Sequence, residues 1–207
     1  MTRQAFLTLT ALSFLVLATL TSSCRTASSR FVLKDKMEAW PGGTLAELDP
    51  LASATWKECL PETYLFLERV GSPTRTGDVM RQLFGTVQSS GVDVIGAPFS
   101  LFYGDSDLPS GQMRVRVCVP VEPGTRPTGD LRVDRLPTRM VVFKQQRGSY
   151  AQAHEAMPSI LEYMQARNWE QNGPVREIYL VNPGEVANVD QLVAEVQVPW
   201  GASTSGS

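Results

Sequence analysis

The sequence predicts an α+β domain made of two strand-helix-strand-strand units, an antiparallel sheet with its helices on one face and a central ligand cleft on the other. Three observations carry this: an internal repeat, two helical apolar stripes, and strands of alternating polarity. From about Leu60 to Trp200 the chain says the same thing twice, about 77 positions apart. Leu60-Pro61 recurs as Leu136-Pro137, Gly71-Ser72 as Gly148-Ser149, and Gly96 as Gly173. Both halves close on an alternating strand ending in proline, Val115 to Pro120 and Ala194 to Pro199. The offset drifts only at the two ends, where turns absorb insertions.

Each element follows from local pattern. The first strand, Thr63 to Val70, is rich in Tyr, Phe and Leu; its counterpart is Arg139 to Gln146, with Met140-Val141-Val142-Phe143. A Gly-Ser turn leads each into a helix. The stripe Met80, Leu83, Phe84, Val87 recurs as Met157, Ile160, Leu161, Met164, one buried face per helix. Gly91 and Asn168 tolerate the left-handed conformation that ends helices, and Pro158 predicts that the second helix starts there after a separate turn. The last strands of each half are joined across Gly104 to Gly111 and Asn182 to Asp190, both rich in turn residues.

Length and composition bound the rest. With 207 residues, 43% hydrophobic and 19% charged, the chain suits one globular domain plus tails. A net charge of −2 and the lack of basic runs exclude an electrostatic footprint for nucleic acid. Residues 1–24 have the layout of a secretory signal: Arg3, an apolar run from Ala5 to Leu20, then Thr21-Ser22-Ser23 before Cys24. A cysteine after small residues resembles the lipobox of bacterial lipoproteins, although leucine stands four residues before it rather than three. The expectation is therefore lipidation at Cys24 and a membrane-anchored protein of the bacterial cell envelope, facing the periplasm, with plain secretion as the alternative. Residues 25–55 read as tether and lead-in, 56–200 as the domain with halves 60–121 and 136–200, and 201–207 as a disordered tail. Cys59 and Cys118 remain for an oxidising compartment, either as one disulfide or as two small buried side chains.

The functional reading rests on where the halves differ. Val115, Val117 and Val119 match Ala194, Val196 and Val198 as the helix-facing set. Leu101 and Tyr103 match Ile178 and Leu180, which predicts the helix side for these as well. Ser100, Phe102, Glu177, Tyr179 and Glu195 then line a groove on the opposite face, with Tyr150 capping it. A carboxylate among aromatic walls suits a flat cation; raised in pKa by burial, it could instead act as a general base. The bland alternative pairs Glu177 and Glu195 with Arg176, Arg114 or Arg116 in rim salt bridges.

The stretches Gly96-Ala97-Pro98-Phe99-Ser100-Leu101-Phe102, Gly173-Pro174-Val175-Arg176-Glu177-Ile178-Tyr179-Leu180 and Ala194-Glu195-Val196-Gln197-Val198-Pro199 resemble the GyrI-like, AraC-type effector-binding superfamily. Arg147-Gly148-Ser149-Tyr150 looks like that family's turn before the second helix. The resemblance implies a duplicated fold with a cleft for small, often cationic or aromatic molecules, and Glu177 and Glu195 in the pocket. Some stand-alone members look like hydrolases of strained cyclopropane-bearing compounds. Phe102 stands where the family often has tyrosine, which removes a hydroxyl such chemistry would use.

His154 is the only histidine, which excludes a Ser-His-Asp, Cys-His or multi-histidine metal site; it reads as a partly exposed helix residue. Trp169 reads as core or cleft rim. No cofactor or metal signature is present. The sequence thus predicts an envelope-tethered small-molecule-binding protein with ligand contacts Glu177, Tyr179, Glu195, Tyr150, Phe102 and Trp169. The alternatives are a hydrolase using Glu177 with Tyr150 or Tyr179, and a structural or interaction lipoprotein.

Overall fold

Strand pairing organises the molecule. The computed structural model describes residues 49–104 and 108–202. Residues 1–48 and 203–207, which include the expected signal segment with Cys24 and most of the expected tether and tail, lie outside the described residues. In chain order the elements are β1 (Thr55–Cys59), β2 (Glu62–Gly71), α1 (Thr76–Ser90), β3 (Phe99–Tyr103), β4 (Met113–Pro120), β5 (Arg132–Leu136), β6 (Arg139–Arg147), α2 (Met157–Gln165), β7 (Trp169–Gln171), β8 (Val175–Tyr179) and β9 (Val193–Ala202). The sheet is antiparallel, in the order β1-β6-β9-β8-β3-β4-β2-β5, with β7 added beside the end of β9. The fold is α+β.

Two connections dictate the sheet's shape. β1 reaches β2 through Leu60-Pro61, and β5 reaches β6 through Pro137-Thr138, although each pair lies six strands apart in the order. Six flat spacings would cover about 29 Å, while such a link spans at most about 11 Å. The sheet therefore curls into a half-barrel. The ion pair between Arg176 of β8 and Glu62 of β2, three strands apart, joins across the same curl.

Each helix covers one end of the same face. α1 buries Leu83 and Val87 against Leu65, Leu67, Val115, Val117 and Val119. α2 buries Ile160 and Met164 against Val142, Val196 and Val198. Full burial of side chains of this size contributes about 1.5–3 kcal/mol each. Phe84 and Leu161, placed by periodicity in the stripes, are instead exposed at 42% and 41% on the helix shoulders. Gly91 (φ 67°) ends α1 and Asn168 (φ 55°) follows α2, both in the left-handed region. Pro158 lies in the first turn of α2, after a 3-10 segment at Tyr150–Ala156.

The face without helices is also a core: Tyr64, Phe66, Phe99, Leu101, Cys118 and Leu136 pack there, joined by Tyr103 and Ile178. This corrects the phase assigned to the middle strands. Matching between the two halves predicts Leu101, Tyr103 and Ile178 under the helices, whereas the structure puts them on the other face. The curl buries that face against itself, so apolar residues there need no helix to cover them. Leu180, expected in the core, is exposed at 42%. Two glycines have a packing reason: a Cβ at Gly96 would meet Pro120 Cγ at 3.2 Å, and one at Gly173 would meet Pro199 Cγ at 3.2 Å. Cys59 and Cys118 are free thiols.

Candidate functional site

Register fixes the centre of the helix-bearing face. Val117 lies opposite Ser100, Ser100 opposite Glu177, and Glu177 opposite Val196, one row across β4, β3, β8 and β9. Val117 belongs to the α1 core and Val196 to the α2 core. Ser100 and Glu177 are thus the polar middle of a row whose ends lie under the two helices. Strand alternation puts Tyr179 and Val175 on this face with Glu177, and Phe102, which packs against the α1 core, on it with Ser100.

Glu177 is half-buried, and its side chain accepts from Tyr179 Oη at 3.4 Å. Tyr179 Oη is also 3.0 Å from Ser100 Oγ, which is fully buried. With the carboxylate ionised, Ser100 donates to Tyr179 and Tyr179 donates to Glu177. Burial pushes the Glu177 carboxyl up to about 7, against the opposing pulls of the Tyr179 hydrogen bond and the charge of His154. Burial, and then the Glu177 charge, hold the Tyr179 phenol well above its ordinary range. The site therefore holds a carboxylate that is reluctant to ionise beside a phenol that stays protonated.

Tyr150 closes one side. Its ring lies 4.8 Å from that of Tyr179 at 49°. Its hydroxyl donates to the Val181 carbonyl and accepts from the Val181 N–H at 3.1 Å, which ties the 3-10 segment to the end of β8. Ser149 caps that segment by accepting from Ala151 N–H. His154, on the next 3-10 turn, is exposed but lies close enough for its charge to act on Glu177. His154 lies in the 3-10 segment Tyr150–Ala156, ahead of α2 and not within it.

Four of the expected site residues, Glu177, Tyr179, Tyr150 and Phe102, share this face, which is the helix-bearing one and not its opposite. Glu195 does not join them. It lies opposite Ile178 on the helix-free face, 2.5 Å from Lys57 Nζ and bonded by Gln197 at 2.7 Å and Gln145 at 3.3 Å. The period of a strand is two, so reversing the phase of β8 while keeping that of β9 parts the two glutamates. Trp169 is also elsewhere: it stacks on Trp200 with centroids 3.6 Å apart and planes 2° from parallel, within the α2 core. The salt-bridge alternative for Glu177 is not realised among the described residues. Arg176 pairs with Glu62, and Arg116 with Glu68 and Asp134. Among the described residues no group of three His, Cys, Asp or Glu side chains is arranged to hold a metal ion.

A groove of about 350 Å³ lies beside the start of α1, lined by Arg69, Arg75, Asp78, Gln82, Val115 and Val117 among others. It borders the central row only at Val117 and does not include Glu177.

The family profile described as the GyrI-like small molecule binding domain matches residues 57–200. The chain belongs to this family. Among solved structures, the GyrI-like chain is similar to the C-terminal domain of EcmrR, with a TM-score of 0.65, 16% identity, and coverage of 72% of this chain and 98% of that one. It is also similar to EcmrR in a DNA complex, at a TM-score of 0.66 and 16% identity, covering 84% of this chain and 64% of that chain. An uncharacterized conserved protein from Listeria innocua follows, at a TM-score of 0.57, 10% identity, and coverage of 82% and 98%. At such identities the likeness is one of fold. No curated protein sequence matches the chain significantly.

Proposed function

We propose that this GyrI-like domain captures a flat, amphipathic organic cation on its helix-bearing face, with Glu177 as counter-charge and Tyr179, Tyr150 and Phe102 as walls. One observation carries the reading: a half-buried carboxylate midway between the two helix cores, with no ion-pair partner among the described residues. Such a group raises the energy of the empty protein, and an organic cation relieves that cost while its rings cover the tyrosines. The test is a titration of the full chain with a flat aromatic monocation and with a neutral isostere. Glu177→Gln should weaken the cation at least tenfold and leave the isostere nearly unchanged. Equal loss of both would make Glu177 a support of the fold, and no loss of either would refute the reading.

A second reading, hydrolysis of a strained, reactive small molecule in the same place, is favoured by the carboxyl pushed up to about 7 beside a protonated phenol. That pairing suits a general base and a hydrogen-bond donor. Turnover that Glu177→Gln abolishes would select it over capture alone.

The site is read as the seam of a duplication. In support, the strand order is the same kind of sequence from either edge, with β3 and β8 meeting at the centre. Gly96 against Pro120 and Gly173 against Pro199 repeat one contact. We further propose that the domain is lipid-anchored through Cys24 and faces the periplasm, on the strength of Arg3, the apolar run and Thr21-Ser22-Ser23. Intact mass of membrane-extracted wild type and Cys24→Ala tests this. A mass difference equal to the substitution alone would remove the anchor.

A further inference from the structure

The groove beside the start of α1, at about 350 Å³, has the size of a small-molecule site and includes no part of the Glu177 cluster. Its apolar lining includes Val79 of α1 with Val115 and Val117 of β4, all packed in the α1 core. Its charged lining is Arg69, Arg75 and Asp78.

The space beside α2 that corresponds to this groove is filled. About 77 positions on, the residues matching Thr76 and Val79 are Ala153 and Ala156, both fully packed in the α2 core. They belong to the 3-10 segment Tyr150–Ala156, whereas the segment before α1 is only Pro73–Arg75 and buries nothing. The match of Gln82 is Ser159, which Lys144 Nζ reaches at 3.3 Å, so a hydrogen bond bridges β6 and α2. Leu67 stands in the place of Lys144 and has no donor to offer Gln82. The start of α1 is thus left open where the start of α2 is closed.

The charge in the groove is positive in balance. Asp78 accepts a hydrogen bond from Arg81, which stands outside the groove, and lies 3.8 Å from Arg75 Nε. Both pairs are exposed, so each is weak and Arg75 can turn from Asp78 at little cost. Arg69 is exposed, donates to the Glu68 carbonyl at 3.4 Å, and pairs with no carboxylate among the described residues. Both guanidiniums line one cavity and are open to solvent. Arginine meets an oxyanion with paired N–H donors, and valine side chains cover an apolar body. A cation would meet like charge here, so the groove does not compete with Glu177.

We propose that this groove is a second binding site, for an amphipathic organic monoanion. Arg69 and Arg75 hold its oxyanion, and Val79 and Val115 cover its apolar body.

The experiment titrates hexanoate into the full chain by calorimetry, beside two partial probes. Acetate keeps the charge without the body, and hexanol keeps the body without the charge. Hexanoate should bind more tightly than either by about tenfold or more. Arg69→Gln combined with Arg75→Gln should lower hexanoate affinity by about tenfold or more. Gln82→Trp, which fills the groove from α1 and leaves both arginines, should lower it as far. Arg126→Gln, at an exposed arginine outside the groove, should keep the wild-type affinity, and so should Glu177→Gln. Arg69, Arg75 and Gln82 are all exposed, so their variants should melt near the wild type. The proposal is overturned if acetate or hexanol matches hexanoate, or if the paired arginine variant or Gln82→Trp keeps the wild-type affinity. It is equally overturned if Arg126→Gln or Glu177→Gln weakens hexanoate as much as the groove variants do.

Discussion

Replacing Glu177 by glutamine should stabilise the empty protein, and by an amount that depends on pH. The carboxyl titrates near 7 in the fold against an ordinary 4.5. The folded state therefore holds the proton more tightly than the unfolded chain. Between these values the native protein is protonated and the unfolded one is not, so stability falls as pH rises. Below 4.5 the contribution is fully present; above 7 it is lost. A displacement of this size corresponds to about 3 kcal/mol at about 1.4 kcal/mol per pH unit. Glutamine keeps a carbonyl for the Tyr179 hydroxyl and never ionises. At pH 8, Glu177→Gln should exceed the wild type by up to about 3 kcal/mol, and near pH 4.5 the two should agree. In a domain of this size each kcal/mol moves Tm by about 2–4 °C. Denaturant melts of both proteins from pH 4.5 to 8.5 measure the difference directly. A constant difference across that range, or a variant less stable than wild type at pH 8, would refute the assignment of a strained carboxylate at the centre of the sheet.

The same titration governs the ligand. Cation affinity should rise through pH 7 and be about tenfold lower at pH 6 than at pH 8, since below its pKa each unit of pH costs about a factor of ten in ionised carboxylate; a titration series in both buffers measures it. Tyr179→Phe should cost about 1–3 kcal/mol, because Ser100 Oγ, fully buried, loses its partner, and should raise the Glu177 pKa further, which NMR titration of the carboxyl would detect. Gly173→Ala should cost about 1–3 kcal/mol because of its φ of 132°. Gly96→Ala, with the same proline contact but no positive φ, should cost less in parallel melts.

The helices, the main strands and the terminal strand phase were legible because each carries one unambiguous period. Val115, Val117, Val119 and Val196, Val198 alternate with polar residues, and Leu83 with Val87 and Ile160 with Met164 keep helical spacing. β3 and β8 resisted, since Phe99-Ser100-Leu101-Phe102 is apolar on both faces and period alone does not say which face meets a helix. Pairing with β4 and β9 decides it, and that is a long-range fact. The error carried Glu177 to the wrong face and Glu195 to the wrong partner, while alternation kept Glu177 beside Tyr179. β1, β5 and β7 escaped notice because they are three to five residues long, with β5 mostly exposed. Lys57 and His154 matter through interactions between elements distant in sequence, which no local pattern announces.

The most direct test of the central claim is a crystal structure of the full chain with a flat aromatic monocation. The account predicts the cation on the helix-bearing face, its charge within about 4–6 Å of the Glu177 carboxylate and its rings against Tyr179 and Tyr150. A cation seated instead in the Arg69 groove beside α1, or on the helix-free face, with Glu177 uncontacted, would contradict it.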